Sequence, residues 1–150
     1  MKVYIKKSLI IFIVLMLVAT LGVLFVSCEK ENTGTKTITF VIGEGESQKV
    51  FSSYKTDAEF LIDVLSELKE DGEITFTSQE SSYGVFLTEI NGISQTDQNY
   101  LYIFTTVQEY QDITDWKVER NYNNQLYVSA FKGVSDLKVI DGAGYMIALV

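Results

Sequence analysis

The sequence predicts an α+β domain, a mixed sheet curled around a single helix, preceded by an N-terminal signal or anchor helix. Three observations support this prediction. Most of the chain after residue 36 alternates polar with apolar residues and is rich in β-branched and aromatic side chains, which is typical of strands. Only residues 56–69 carry apolar side chains at helical spacing after a helix start signal. The first 28 residues combine a basic start with an unbroken apolar run.

The N-terminal stretch has the parts of a secretory signal. Three lysines in the first seven residues precede an apolar run over 9–25, and Ser27 then precedes the single cysteine, Cys28. A basic region, an apolar region and a small residue before the cut define such a signal. The ending resembles the bacterial lipobox, in which the cysteine is acylated and becomes the mature N-terminus, although Phe25 stands where leucine is usual. We therefore predict a lipoprotein signal peptide over 1–27 and lipidation of Cys28.

An uncleaved signal anchor is the alternative, because about 17 apolar residues nearly span a bilayer. Both interpretations place residues 29–150 outside the cell, so the predicted location is the extracytoplasmic face of the cell membrane. A diacylglyceryl group on the cysteine would supply the two chains that stable attachment requires. Residues 28–36 are polar and contain glycine, which favours a flexible tether. The predicted domain then occupies residues 37–150.

The charge of the chain argues against nucleic acid as a partner. The formal net charge is −8, and removal of the three lysines of the signal makes it −11. An acidic surface without a basic stripe repels phosphate backbones. We predict a protein that is attached to the membrane through its lipid and does not bind nucleic acid.

The composition also argues against catalysis. The chain contains no histidine, which excludes imidazole base catalysis and imidazole metal ligation. Its one cysteine is assigned to the lipid, and no G-x-S-x-G elbow follows it. The pairs Asp112/Asp115 and Asp136/Asp141 lack the D-x-D-x-D-G spacing of a calcium loop. Two carboxylates facing across a cleft would allow glycoside hydrolysis, but nothing in the sequence favours that arrangement. We predict no enzymatic activity, no cofactor and no metal site.

The domain is predicted to open with a hairpin of strands at 37–42 and 49–54, joined by a glycine-rich turn. Thr56 and Glu59 then form a capping box, in which each side chain accepts the other residue's amide. The helix is expected to end near Lys69, with Gly72 as the left-handed residue after it. Its apolar stripe should lie on the sheet and consists of Phe60, Leu61, Val64, Leu65 and Leu68.

The second half is predicted to consist of strands. Asn91-Gly92 and Asn123-Asn124 are the hairpin turns, residues 78–82 a polar loop and 108–115 a polar excursion. The strand at 100–106 is nearly all β-branched or aromatic, so both of its faces should be buried. The remaining strands are predicted at 74–77, 85–90, 116–122, 125–131, 137–139 and 145–150. Two strands, a helix and then several strands is the plan of a β-grasp, although an unrelated α+β sandwich would give the same order.

Three segments of the chain resemble a known family. The helix FLIDVLSELKE, the segment YGVFLTEINGI and the strand NYLYIFTT are similar to the transcobalamin C-terminal-like domain of bacterial surface proteins. The resemblance covers about residues 37–150, and the shared motif positions are Gly84, Phe86, Leu87, Ile90, Asn91, Gly92, Gly133, Val134, Leu137, Val139, Asp141, Gly142 and Tyr145.

That resemblance implies a β-grasp domain that binds a soluble ligand. The family is largely of unknown function, and its relatives in vitamin carriers cover a bound cobalamin. This chain departs from them in two places. Tyr100-Leu101-Tyr102 stands where relatives often carry tryptophan, and the excursion over 107–124 is longer. The two departures argue against cobalamin as the ligand of this chain and leave a role in binding another ligand open.

Aromatic side chains are the candidate recognition groups. Tyrosine and tryptophan combine a large apolar area with a polar tip, which suits flat or glycan-like ligands, although strands also favour aromatics as core residues. Tyr102 and Tyr145 lie inside strong strand patterns and are predicted to pack in the core. The candidates for ligand contact are Trp116, Tyr110, Tyr122 and Tyr100, with Trp116 first because polar sequence surrounds it.

The sequence as a whole therefore favours a membrane-anchored lipoprotein with a non-catalytic ligand-binding domain. A corrinoid-like molecule or a glycan is the expected small ligand. The alternative is a protein-interaction or structural module that docks on a membrane transporter or on another partner at the cell surface.

Overall fold

The computed structural model describes residues 34–150, in which nine β-strands accompany one α-helix. The predicted signal peptide over 1–27, the lipidation site Cys28 and the tether up to residue 33 lie outside the described residues. Lys36, predicted to end the tether, is the first residue of β1. The elements are β1 Lys36–Ile42, β2 Lys49–Thr56, α1 Leu61–Glu70, β3 Phe76–Ser81, β4 Gly84–Ile90, β5 Ile93–Ser94, β6 Leu101–Thr105, β7 Glu119–Tyr122, β8 Gln125–Ser129 and β9 Gly144–Leu149.

The strands form two sheets. Six of them lie in the order β2-β1-β9-β6-β8-β7, and β3, β4 and β5 form a smaller antiparallel sheet. β1 and β9 are parallel, with Thr39 opposite Gly144, whereas the other neighbours are antiparallel. The large sheet is therefore mixed, and with one helix in the described range the α+β class is confirmed. No helix within residues 34–150 is long and apolar enough to cross a membrane.

The core lies mainly on one face of the six-stranded sheet. Ile38, Phe40 and Ile42 of β1 point to that face and pack in one cluster with α1 and with the small sheet. Four of the five predicted stripe residues, Leu61, Val64, Leu65 and Leu68, are buried there, whereas the fifth, Phe60, precedes the helix and is half-buried. A smaller cluster occupies the opposite face and consists of Val41, Phe104, Tyr127, Met146 and Ala148. Both faces of the central strands are therefore covered.

The helix starts later than its sequence signal predicts, because the chain makes distant contacts first. Residues 57–60 run extended, and Phe60 bridges Lys138. The amide of Leu61 donates to the carbonyl oxygen of Leu137 at 2.9 Å, so a partner 76 positions away satisfies a helix-start donor. The Asp63 carboxylate accepts the Phe60 amide at 3.0 Å. The prediction of a capping box at Thr56 and Glu59 is wrong.

Several strand boundaries also differ from the predictions. The polar segment predicted as a loop at 78–82 continues β3, since its backbone pairs with β4. Residues 137–139 form a single bridge instead of a strand, and β7 begins only at Glu119. The prediction that the strand at 100–106 is buried on both faces is wrong at Tyr100 and Tyr102, which are 53% and 36% exposed.

Both asparagine turns are confirmed. Asn91 and Gly92 have φ of 50° and 77° and connect β4 to β5, while Asn123 and Asn124 have φ of 50° and 61° and connect β7 to β8. Two consecutive positive φ values match the right-handed twist of a hairpin, and asparagine and glycine tolerate them best. The confirmed turns fix the two hairpins that precede and follow β6.

Candidate functional site

The segment 112–118 forms a projecting loop before β7, which we call the Trp116 loop. It carries two large apolar side chains that pack on almost nothing: Ile113 is 94% exposed and Trp116 is 86% exposed. The two residues lie three positions apart on the same loop, and contiguous exposed apolar surface can serve as an interaction site. The sequence prediction that Trp116 is available for contact agrees with its position.

Both ends of the Trp116 loop are fixed to one buried residue, Ser129 of β8. The Asp112 amide donates to the Ser129 carbonyl oxygen at 2.7 Å, and the Val118 amide donates to the Ser129 hydroxyl at 3.0 Å. The Ser129 amide in turn donates to the Val118 carbonyl oxygen at 2.8 Å. These bonds hold the loop at the edge of the six-stranded sheet.

The interior of the loop is also hydrogen-bonded. A carboxylate oxygen of Asp112 accepts the Thr114 amide at 2.8 Å, and the Thr114 hydroxyl accepts the Trp116 amide at 3.3 Å. The Lys117 amide donates to the Thr114 carbonyl oxygen at 3.2 Å. Because polar backbone groups bond within the loop, the Ile113 and Trp116 side chains are directed outward from an ordered backbone.

The electrostatics of the loop are acidic. The bond from Thr114 lowers the pKa of Asp112, which keeps that carboxylate ionised at neutral pH. Asp115, the residue before Trp116 in the chain, is exposed. Lys117 forms a 2.7 Å ion pair with Glu119, which raises the lysine pKa. With two aspartates and one lysine, the loop carries a formal net negative charge.

The other predicted contact residues lie elsewhere, and the structure does not bring the four together. Tyr110 is 5% exposed and packs in the main core with Lys132 Nζ 4.7 Å from its ring centre. Burial raises the pKa of Tyr110. The Tyr110 ring thus packs in the core, supports the segment that precedes the Trp116 loop, and does not face solvent.

Tyr100 and Tyr122 lie at opposite ends of the six-stranded sheet. Tyr100 exchanges two backbone hydrogen bonds with Val150 just before β6, and Tyr122 pairs with Gln125 at the tip of the β7–β8 hairpin. Tyr122 is half-buried and lies edge-on against Tyr127, with ring centres 6.5 Å apart. The four candidates therefore do not line one groove, and Trp116 is the most exposed of them.

Two residues of the site were not found by sequence reasoning. Ile113 has a weak signal, a lone aliphatic residue in the polar stretch D-I-T-D-W. Ser129 has no sequence signal, because it holds the loop only where the two ends of the loop meet on β8. A second exposed aromatic pair, Tyr83 and Phe86 on the β3–β4 hairpin, also escaped prediction.

The described residues form no candidate metal site. Within residues 34–150, no three histidine, cysteine, aspartate or glutamate side chains are grouped so that they could hold a metal ion.

Comparison with known proteins identifies the fold. No protein-family model matches the chain, and no curated protein matches it in sequence. A proposed metal-binding protein from Ruminococcus gnavus ATCC 29149 matches with a TM-score of 0.53 and 18% identity, over 77% of this chain and 97% of that one. Haptocorrin in complex with Cbi matches with a TM-score of 0.54 and 13% identity, over 77% of this chain and 25% of haptocorrin. At these identities the likeness shows the fold alone: the chain has an α+β fold also present in part of a transcobalamin-family protein.

Proposed function

We propose that the chain is an extracytoplasmic lipoprotein, anchored through Cys28, whose domain is of the transcobalamin C-terminal-like β-grasp type and binds a ligand without transforming it. The Trp116 loop carries this proposal. Its hydrogen-bonded backbone holds an indole and an aliphatic side chain in solvent, where packing within the described domain does not use them. Such preorganised aromatic surface suits recognition.

The strand order supports the β-grasp assignment. A β1–β2 hairpin, a helix across one face and a last long strand parallel to the first form the centre of the domain. The likeness to haptocorrin agrees with it, and the motif residues at the β4–β5 turn occupy the turn positions that such a motif requires.

The residues of the loop suit binding better than catalysis. Trp116 provides a flat face for stacking, and Asp112 and Asp115 can accept hydrogen bonds from hydroxyl or amide groups. The chain contains no histidine to act as a base near them. A corrinoid-like molecule or a glycan would use the flat face and the acceptors together.

Trp116 fluorescence tests ligand binding directly, because Trp116 is the only tryptophan of the chain. Titration of the full chain with corrinoids, glycans and peptides should give a saturable change with at least one class. Ile113→Ala should weaken that binding, whereas Tyr83→Ala, at an exposed position on another hairpin, should not. A flat response to all three classes would contradict the proposal.

Docking of a protein partner is the second candidate, and Ile113 favours it. An exposed aliphatic side chain beside an indole is typical of protein interfaces, where apolar anchors are buried at the centre. Crosslinking in native membranes should then recover a partner that survives high salt, and Ile113→Asp should abolish the recovery.

The lipid anchor is tested separately from the ligand. Mass spectrometry of the purified protein should find residue 28 as the N-terminus with a diacylglyceryl mass. Cys28→Ala should leave an uncleaved membrane precursor or release the chain to the medium. Normal processing and retention of that variant would remove the lipid assignment.

A further inference from the structure

Cations inside the domain already lie against aromatic rings. Among the residues that the structure describes, five such contacts occur, and Trp116 takes part in none of them. Tryptophan attracts cations more strongly than phenylalanine or tyrosine does. The contacts are Lys49 on Phe51 at 5.1 Å, Lys69 on Phe76 at 4.5 Å, Arg120 on Phe104 at 5.6 Å, and Lys132 on Tyr110 at 4.7 Å and on Phe131 at 5.8 Å.

The charges beside Trp116 complement an incoming cation. Asp112 and Asp115 belong to the Trp116 loop, and the one basic residue of the loop, Lys117, is paired with Glu119 at 2.7 Å. A cation over the indole would therefore meet both the ring and the nearby carboxylates. The acidic character of the whole chain, with a net charge of −8, would add to the attraction.

The apolar neighbour narrows the chemistry of that cation. Ile113 offers an aliphatic contact in the same loop and is 94% exposed. A lysine or arginine side chain combines a charged head with an apolar stem, and in a polypeptide it can be followed by further apolar residues. A free inorganic cation or a simple ammonium ion would leave Ile113 uncovered.

The register of the sheet places the loop far from the start of β1. Through β9, β6 and β8, Val118 is level with Val41. Lys36 is five positions before Val41, or about 17 Å along the strand at 3.3–3.4 Å per residue. Arg120 of β7 pairs with Glu44, which follows β1, so the base of the loop lies nearer to the end of β1 than to its start.

We propose that the Trp116 loop binds a basic, partly apolar polypeptide segment. A lysine or arginine side chain would lie on the Trp116 ring with its charge near Asp115, and an apolar residue of the same segment would cover Ile113. The inference rests on the proposed binding function of this loop and narrows its ligand to a peptide chain.

Fluorescence anisotropy of labelled peptides tests the proposal on the purified full chain. A lysine–leucine peptide should bind, and its charge-reversed glutamate–leucine counterpart should not. Trp116→Leu, which keeps the apolar bulk, should weaken binding about tenfold. Asp115→Asn should weaken it about threefold, as for an exposed ion pair. Asp97→Asn changes the net charge equally at an exposed position outside the Trp116 loop and should have no effect.

Equal binding of the lysine–leucine and glutamate–leucine peptides would overturn the inference. Equal effects of Asp97→Asn and Asp115→Asn on binding would also overturn it, and so would a Trp116→Leu variant that binds the lysine–leucine peptide as well as the natural chain does. Reconstitution of the full chain in liposomes that contain brominated lipid provides a further arm. Quenching of Trp116 by the lipid would show that the loop meets the bilayer, which also overturns the inference.

The same titrations separate this inference from the proposed function. If a corrinoid or a glycan binds at Trp116 and the basic peptide does not, the inference fails and the ligand-binding function stands. If no class of ligand binds, both fail. Acylation of Cys28 is measured independently: it tests the anchoring part of the proposed function and does not decide the inference.

Discussion

The hydroxyl of Thr56 donates a 2.6 Å hydrogen bond to a carboxylate oxygen of Glu67, which ties the end of β2 to the middle of α1. The same carboxylate oxygen accepts the Tyr54 hydroxyl at 3.3 Å. The Thr56 hydroxyl also accepts the Ala58 amide at 2.9 Å. Thr56, predicted to cap the helix, thus links the opening hairpin to the side of α1 instead. Its side chain is almost fully buried.

Thr56→Val should destabilise the domain by about 1–3 kcal/mol, because it removes a donor to a charged group and leaves the buried Ala58 amide without its acceptor. Urea unfolding at neutral pH measures the change. Thr75→Val makes the same substitution at an exposed position and should change stability by less than about 0.5 kcal/mol. An equal loss in both variants would show that the Thr56–Glu67 link contributes nothing specific.

Gly144→Ala should destabilise the domain by about 1–3 kcal/mol through overpacking. A Cβ at Gly144 would lie 2.7 Å from Cζ of the buried Tyr127 ring and would also meet its hydroxyl oxygen. Gly133→Ala is the matched control, since a Cβ there would find only the Val85 carbonyl oxygen, at 3.8 Å. Thermal unfolding should separate the two variants clearly, and similar midpoints would contradict the packing described for Tyr127.

The parts of the fold that follow from local chemistry could be predicted. The asparagine turns require only positive φ values at two adjacent residues, which Asn91-Gly92 and Asn123-Asn124 supply themselves. The helical stripe depends on spacing within ten residues, and all four of Leu61, Val64, Leu65 and Leu68 are buried. Such elements need no knowledge of distant partners.

The parts that depend on distant partners could not be predicted. The start of α1 is displaced because the Leu61 and Ile62 amides find the carbonyl oxygens of Leu137 and Val134. At the candidate site, polar surroundings correctly indicated that Trp116 is exposed. The same reasoning failed for Tyr110, whose polar neighbours gave no sign that a short 3-10 turn places its ring in the core.

High pH should destabilise the domain through Tyr145. Its hydroxyl donates to the Lys138 carbonyl oxygen at 2.9 Å and accepts the Ile140 amide at 2.8 Å. Burial raises the pKa of Tyr145 from 10.0 to about 12. Above pH 10.0 the unfolded chain releases a proton that the folded chain retains, so this stability is complete below pH 10.0 and decreases as the pH rises toward 12. The loss should reach roughly 2 kcal/mol.

Urea unfolding across the alkaline range measures this loss. Tyr145→Phe should be less stable at neutral pH by about 1 kcal/mol, because it gives up the hydrogen bonds, but its stability should fall less steeply at high pH. Tyr54 has a pKa raised by burial and by Glu67, so part of the slope should remain. Tyr83→Phe, at an exposed site, should keep the slope of the natural chain. An unchanged slope in Tyr145→Phe would contradict the assignment.

Asp57 should control how tightly the chain before β1 is held. One of its carboxylate oxygens accepts the Thr35 amide at 2.9 Å and the Thr35 hydroxyl at 2.8 Å, and these bonds lower the pKa of Asp57. A lowered carboxyl pKa means that the contact is complete above the unfolded value of 3.8 and is lost as the pH falls through the lower folded value. The NMR shift of the Thr35 amide should therefore titrate with a midpoint below 3.8.

Asp57→Ala should release Thr35 without acidification. Hydrogen exchange at the Thr35 amide should then accelerate, and trypsin should cut after Lys36 more readily, because the segment that leads into β1 loses its only described carboxylate contact at Thr35. Asp97→Ala removes an exposed carboxylate at the far end of β6 and should leave both measurements unchanged. Equal exchange at Thr35 in the natural chain and in Asp57→Ala would contradict this assignment. Slower exchange only when Asp57 is present would show that Thr35 is held against the domain by this carboxylate.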